Sequence, residues 1–137
     1  MSIEENKKVV LDYFAASKAG DVEKLKQLIA DDAKRWMIPG TPFSGVADKA
    51  EMIGAFEAVS SASDGPFDNE VEYVTAEEDR VSVTAKSELK LKSGKVYSNV
   101  YHFLFFVENG QIKYIKEYFN TAHFNEVFTE EELAKLG

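Results

Sequence analysis

A two-residue alternation of apolar and polar side chains constrains the second half of the chain. Within residues 80–91 the apolar positions are Val81, Val83, Ala85, Leu89 and Leu91. Because successive side chains of a strand point to opposite faces, this pattern predicts a strand with one buried face. Turn residues follow at 92–94 and 108–110, and 96–107 and 111–120 continue the extended pattern. These strands are expected to form a hairpin-linked antiparallel sheet.

The first half carries apolar residues at helical spacing instead. Ser2 and Asp48 each have a glutamate three residues later, which is the spacing of a capping box at a helix start. We expect three N-terminal helices, a short strand over 33–38, a first sheet strand over 70–76 and a short closing helix over 121–128. Helices followed by a run of strands indicate an α+β fold.

Length and composition exclude several classes of function. At 137 residues the chain is long enough to bury a core, and residues 1–137 are expected to form one domain. A net charge of −8 argues against a nucleic-acid partner, which requires a basic surface. The chain has no cysteine and only His102 and His123, so disulfides, thiolate chemistry and a His-rich metal site are excluded, and no cofactor is expected. The N-terminus carries no apolar signal run and no stretch has transmembrane length, so we expect a cytoplasmic protein without a membrane partner.

One carboxylate, Glu117, stands among apolar residues near the end of the chain. Its neighbours are Ile115, Tyr118 and Phe119. Burying a carboxylate there is costly unless the group is paired or used. We therefore expect Glu117 to be the centre of a pocket, with a pKa raised by desolvation.

The residues that share a face with Glu117 depend on the turn at 108–110. A three-residue loop places Glu117 opposite Tyr101, whereas a two-residue loop at Asn109 and Gly110 places it opposite His102. Both loops are chemically reasonable, and the preference of Gly for the left-handed bulge position favours the first. The favoured cluster around Glu117 contains Tyr101, Asn99, Phe103, Phe119 and Ile115.

The strand 96–107 is apolar on both faces towards its end. One face carries Tyr101, Phe103 and Phe105, and the other carries Val100, Leu104 and Phe106. A sheet with two apolar faces must be covered twice. The helices can cover one face, and we expect a second copy of the chain to cover the other in a homodimer.

Three motifs in this half resemble those of a known group of proteins. They are Tyr97-x-Asn99-x-Tyr101, Asn109-Gly110-x-Ile112 and Glu117-Tyr118-Phe119-x-Thr121. Together with the order of helices and strands, they resemble the SnoaL-like branch of the nuclear-transport-factor-two-like superfamily. That group includes ketosteroid isomerases, polyketide cyclases and limonene-epoxide hydrolases. The resemblance implies a cone-shaped curved antiparallel sheet wrapped on three N-terminal helices, a cystatin-like α+β barrel that is often a homodimer.

The resemblance also implies a role for Glu117. In limonene-epoxide hydrolases the matching position is a catalytic aspartate, and an Arg-x-Asp pair lies on a neighbouring strand. The nearest equivalent here is Lys86-Ser87-Glu88, and a three-residue turn at 92–94 would leave Lys86 and Glu88 in solvent. Many relatives also carry an aspartate where this chain has Asn120.

These observations predict a small-molecule pocket protein. The first hypothesis is a cofactor-independent isomerase, cyclase or hydrolase that acts on a small hydrophobic substrate by proton transfer through Glu117, with Tyr101 and Asn99 donating to an oxygen that gains negative charge. The alternatives are a non-catalytic binding module for a hydrophobic metabolite and a dimerisation domain with a vestigial pocket. The expected substrate-binding residues are Trp36, Tyr13, Phe56, Phe103, Ile115, Phe119, His123 and Phe124.

Overall fold

The computed structural model, which describes residues 2–136, has the expected α+β architecture. The elements in chain order are α1 (Ile3–Ala19), α2 (Val22–Leu28), β1 (Ile29–Met37), β2 (Gly45–Asp48), α3 (Lys49–Ala62), β3 (Asp68–Glu77), β4 (Arg80–Lys90), β5 (Val96–Glu108), β6 (Gln111–Phe119), α4 (Thr121–Val127) and α5 (Glu130–Ala134). Three helices precede the long strands, and two short helices close the chain.

The strands form one curved sheet of six, in the order β2-β1-β6-β5-β4-β3. Neighbouring strands are antiparallel except for β1 and β6, which run parallel. The expectation of a wholly antiparallel sheet is therefore wrong at this one pair. Only a long connection can join parallel neighbours, and here the rest of the sheet lies between the two strands in sequence. The short edge strand β2 was not expected, because its four residues are too few to show an alternation.

Capping determines where α1 and α3 begin. The Ser2 hydroxyl accepts from the Glu5 backbone N–H at 3.1 Å, and the Asp48 carboxylate accepts from that of Glu51 at 2.8 Å. Both glutamates return a bond to the cap residue, so both predicted capping boxes are confirmed. Helix α1 ends at Gly20, whose φ of 70° is the left-handed conformation that favours glycine.

Two apolar clusters occupy opposite ends of the inner sheet face. At one end, α1 and α2 pack on β4, β5 and β6; the buried side chains include Val10, Phe14, Leu25, Val83, Phe105 and Ile112. At the other end, α4 packs on β4 and β5; the buried side chains are Leu89, Leu91, Tyr97, Phe124, Val127 and Phe128. Partly buried aromatic rings, including Phe56 and Phe103 on the first cluster and Phe67 and Tyr101 on the second, lie beside the two. The inner face between the clusters is left for a cavity.

No helix among residues 2–136 packs on the outer sheet face, which carries several large side chains. Trp36 packs on Tyr118, and the ammonium group of Lys116 lies 4.8 Å from the centre of the Trp36 ring. Val100 in β5 is 58% exposed. Among residues 2–136, no helix combines the length and apolar character needed to cross a bilayer.

Candidate functional site

The hairpin of β5 and β6 sets the direction of Glu117. Its turn is the two-residue Asn109-Gly110, with φ values of 53° and 77°, and it pairs Glu108 with Gln111. A bulge then follows on β6, because Val107 pairs with Ile112 but Phe106 pairs with Tyr114. The extra residue shifts every later pair by one position, so Glu117 lies opposite Phe103.

Both expected pairings of Glu117 are therefore wrong in detail. The turn has two residues rather than the favoured three. The two-residue alternative predicted the turn correctly but did not include the bulge that follows it. The bulge nevertheless restores the face expected from the longer loop, because it changes the count by one residue. Glu117 consequently shares the inner face with Tyr101 and Phe103 rather than with His102.

Three adjoining cavities meet at Glu117. Two lobes of about 170 and 180 Å³ share the same five lining residues: Phe56, Phe67, Ser87, Tyr101 and Glu117. A third space of about 100 Å³ is lined by Tyr13, Arg35, Met52, Phe103, Ile115 and Glu117. The lobes together reach the lower end of the usual range for ligand pockets, roughly 300–1,000 Å³.

The Glu117 carboxyl group has an unusual environment. The half-buried side chain lines all three cavities, and no donor among residues 2–136 is within hydrogen-bonding geometry of the carboxyl group. Burial raises the pKa of Glu117 to about 7, and the positive charge of Arg35 opposes part of this shift. The group can therefore hold or release a proton near neutral pH.

Arg35 is the cationic side chain at the centre of the site. It lies on β1 between the buried residues Ala33 and Met37, and the alternation of the strand points all three inward. Its Nη2 donates to the carbonyl of Phe43 at 2.8 Å. Its Nε is buried and has no hydrogen-bond partner among residues 2–136.

Two tyrosines and an asparagine form a chain of hydrogen bonds at the cavity wall. The hydroxyls of Tyr97 and Tyr101 are 2.5 Å apart, and Asn99 Nδ2 donates to the Tyr97 hydroxyl at 2.9 Å. Burial raises the pKa of Tyr97 to about 12 and that of Tyr101 well above its usual value, and the nearby charge of Glu117 adds to both shifts. Both phenols therefore keep their protons at neutral pH.

The described residues offer no ready metal site. Within 2–136, no three His, Asp or Glu side chains lie close enough together to hold a metal ion. Glu117 is the one carboxylate that lines the three cavities.

Comparison with known families agrees with this architecture. The family model described as the SnoaL-like domain matches residues 10–115. The chain belongs to the SnoaL-like family. The match ends two residues before Glu117, so the family assignment and the function of that carboxylate rest on separate observations. None of the curated proteins matches the chain.

Solved structures of several proteins share the fold of this SnoaL-like protein. Bal32a from a soil-derived mobile gene cassette is 20% identical with a TM-score of 0.82, over 91% of this chain and 97% of that one. A nuclear-transport-factor-two-like protein from Burkholderia xenovorans is 23% identical with a TM-score of 0.75, over 93% and 98%. TerC, co-crystallised with polyporic acid, is 19% identical with a TM-score of 0.77, over 90% and 97%. At these identities the likeness is one of fold.

The structure brings most of the expected binding residues to the cavities. Those that line a cavity are Tyr13, Phe56, Phe103, Ile115 and Phe124, with Glu117 and Tyr101. Ser87 also faces inward while Lys86 and Glu88 are exposed, as the three-residue turn after β4 predicts.

Four expected site residues lie elsewhere. Trp36 is on the outer face, because its neighbours Arg35 and Met37 point inward. Phe119 packs on Tyr101 and Phe124 without lining a cavity. His123 stacks on Tyr97, and its Nε2 accepts from the Ser98 N–H at 3.2 Å.

Asn99 is the fourth of these residues, and each donor and acceptor of its side-chain amide is hydrogen-bonded within the protein. Nδ2 donates to the Tyr97 hydroxyl and to the Asn120 carbonyl, both at 2.9 Å. Oδ1 accepts from the N–H groups of Val100 and Asn120 at 2.8 and 3.1 Å. Asn99 thus reaches the cavity through Tyr97 and does not face it.

Several residues that line the cavities were not expected from the sequence. They are Arg35, Met37, Phe43, Met52, Phe67, Asn69 and Tyr97. The alternation Ala33, Arg35, Met37 was a usable signal for Arg35, since it places the charge on the buried face. The loop residues Phe43 and Phe67 carried no such periodic signal.

Proposed function

We propose that this SnoaL-like protein is an enzyme that transfers a proton to or from a small, mainly apolar molecule through Glu117, without a cofactor. The observation that carries the proposal is a carboxyl group with no donor from the described residues, in an aromatic cavity, with a pKa of about 7. A general acid or base works best when its pKa lies near the working pH. Isomerisation, cyclisation and hydration are all reactions that such a group supports.

Tyr101 is the proposed donor to an oxygen on which negative charge develops. Because Asn99 donates to the Tyr97 hydroxyl, Tyr97 can donate its own hydrogen to Tyr101. The hydrogen of Tyr101 is then free for a ligand in the cavity. Donors fixed in this way stabilise charge without reorganising during the reaction. Asn99 is a positioning residue in this scheme, acting through Tyr97.

The cavity supports a small substrate with one or two rings. Its walls are built mainly from Phe56, Phe67, Phe103 and Phe124, and its polar groups converge at Glu117. TerC, a structural neighbour, was co-crystallised with polyporic acid, which supports the use of this fold for binding small organic molecules. We also propose that residues 1–137 act as one domain and pair as a homodimer through the outer sheet face.

A non-catalytic binding module is the second candidate. It is favoured by one observation, that Glu117 is the single carboxylate among the residues lining the cavities. Reactions that need a separate acid and base would lack a second carboxylate here. Thermal stabilisation by a ligand without any turnover is the behaviour expected of such a module.

Proton exchange in D₂O separates the two candidates without knowledge of the natural substrate. A panel of cyclic ketones and phenolic ketones is incubated with the protein, and deuterium uptake at acidic C–H positions is followed by NMR. We expect catalysed exchange that rises with pH and is half-maximal near pH 7, as the Glu117 carboxyl ionises. Glu117→Gln should lower the rate by about a hundredfold or more.

Glu88→Gln is the matched control, because Glu88 is exposed on β4 and lines no cavity. It should retain the full exchange rate. Compounds that raise the melting temperature but exchange no faster than in buffer would support the binding module instead. An unchanged rate in Glu117→Gln would exclude Glu117 as the proton carrier.

A further inference from the structure

Arg35 places a permanent positive charge beside a carboxyl group that is neutral for part of the physiological pH range. Both side chains line the lobe of about 170 Å³ and the small third cavity. The guanidinium uses Nη2 on the Phe43 carbonyl, and its buried Nε has no partner. A buried donor without a partner is uncommon, because it has lost water and gained nothing in return.

We propose that the ligand of this cavity is an aromatic anion, a carboxylate or an ionised enol or phenol, whose charged oxygen binds the Arg35 guanidinium beside Glu117. This inference rests on the proposed function, since it takes the same cavity as the binding site. A guanidinium is the side chain best suited to a planar oxyanion, because its donors match the oxygen lone pairs. The aromatic walls supply the surface for the rest of the molecule.

Several other charged or titratable groups of the described residues lie near Arg35 and Glu117. Of all these groups, Arg35 is the strong partner for an anion. Tyr13 from α1 and Tyr97 and Tyr101 from β5 face Glu117 as neutral phenols, and burial raises the pKa of each. Helix α3 contributes only apolar side chains, and β3 contributes the neutral Asn69. Lys86 of β4 lies at the cavity rim and is exposed and paired with Glu72 at 3.5 Å.

Binding of an anion should therefore be linked to a proton on Glu117. An anion next to an ionised Glu117 meets a like charge, whereas a protonated Glu117 can donate to it. The anion binds most tightly to the protonated form, so its affinity falls as pH rises past the pKa of the free carboxyl. With the anion bound, Glu117 holds a proton and is placed to give it to the ligand.

The test is calorimetric titration with 2-naphthoate and its uncharged counterpart 2-naphthamide. At pH 6.5 the acid should bind about tenfold more tightly than the amide. Between pH 6.5 and 8.5 the affinity for the acid should fall about 25-fold, as the protonated fraction of Glu117 decreases, while that for the amide changes little. Titrations at pH 8.5 in buffers of different ionisation enthalpy should show uptake of about one proton by the complex.

Three variants assign the effect to Arg35 and Glu117. Arg35→Met should remove the preference for the acid over the amide, and Arg35→Lys should keep most of it. Glu117→Gln should retain anion binding and abolish its pH dependence. Lys34→Met is the matched control, because Lys34 is an exposed cation next to Arg35 in β1 that lines none of the three cavities, and its loss should leave both affinities within about twofold.

The outcomes separate this inference from the proposed function. Equal binding of acid and amide by the wild-type protein would overturn the anion preference and leave proton transfer through Glu117 intact. A preference for the anion without catalysed deuterium exchange would support this inference and overturn the proposal that the protein is a proton-transfer enzyme. Absence of binding by both compounds at millimolar concentration would overturn the ligand cavity and both proposals with it.

Discussion

Glu117 lowers the stability of the fold whenever it is charged. Its carboxyl group has lost water, and the charge of Arg35 compensates only part of that loss. The carboxyl has a pKa of about 7 in the folded protein against 4.5 as a free group. Between these pH values the folded state binds more protons than the unfolded state. The contribution of Glu117 to the free energy of unfolding is therefore fully present below pH 4.5 and is lost as pH rises through 7.

Glu117→Gln should accordingly stabilise the protein in alkaline solution and not in acid. At pH 8.5 we expect a gain in the free energy of unfolding of up to about 3 kcal/mol, from the difference between the two pKa values. At pH 4.5 the variant and the wild type should be nearly equal. Urea unfolding at both pH values measures the difference. Glu88→Gln should show no such pH-dependent gain, and a variant less stable than the wild type at pH 8.5 would contradict the assigned burial.

The sequence could identify Glu117 but not its charged neighbour. A carboxylate inside an apolar strand can be recognised from the sequence alone, because the free-energy cost of burying it does not depend on which strand lies next to it. Arg35 lies 82 positions away in the chain, and it meets Glu117 only because β1 pairs with β6 in parallel. The position of Trp36 on the outer face could not be predicted either, because the sequence alone does not establish which face of β1 points inward.

The connection between β5 and α4 depends on Asn99. Its side chain bridges the strand to the backbone of Asn120, which precedes α4 and caps it by accepting from the His123 N–H at 3.2 Å. The same side chain holds Tyr97 in place. One buried amide therefore fixes a helix and a part of the site together.

Asn99→Ala should cost roughly 2–3 kcal/mol of unfolding free energy, because it leaves partly buried backbone groups and the Tyr97 hydroxyl without their hydrogen bonds to the Asn99 amide. Ser98→Ala, one residue earlier on the exposed face, should cost less than about 0.5 kcal/mol. Chemical denaturation measures both. In the exchange assay Asn99→Ala should also lose activity at saturating substrate, through misplacement of Tyr101. Normal stability in this variant would show that the hydrogen bonds of Asn99 are not needed.

Element boundaries were predictable from the sequence where periodicity or capping was strong. The alternation of β4 gave its buried face correctly, and the two capping boxes gave the starts of α1 and α3. The register of β6 could not be predicted, because a bulge needs no special residue. The extra residue of the bulge is Lys113, an ordinary strand residue that forms a surface ion pair with Asp32 at 2.7 Å.

The molecule as a whole is asymmetric in how its two sheet faces are covered. Helices cover the inner face, whereas the outer face exposes Val100 and carries Trp36 and Tyr118, whose rings pack at a tilt of 59°. An uncovered apolar face of this kind favours association. The proposed homodimer would bury it.

Val100→Lys should therefore convert the dimer into a monomer. Light scattering after gel filtration should give a mass of about twice 15.3 kDa for the wild type and about 15.3 kDa for the variant. The matched control is Leu11→Lys, because Leu11 is 43% exposed on α1, away from the sheet. It should leave the dimer intact. A monomeric wild-type protein at high micromolar concentration would exclude this interface.

The bulge in β6 determines which face of the sheet carries the Glu117 side chain. If the same sequence formed a regular strand without the bulge, every side chain beyond it would change faces, with Glu117 opposite His102 on the outer face and Tyr118 on the inner face. A related chain with one residue fewer between its Asn-Gly turn and its acid would keep the carboxyl on the inner face without any bulge. The length of that interval, taken together with the presence or absence of a bulge, is therefore a better guide to whether a relative keeps this chemistry than the presence of the acid itself.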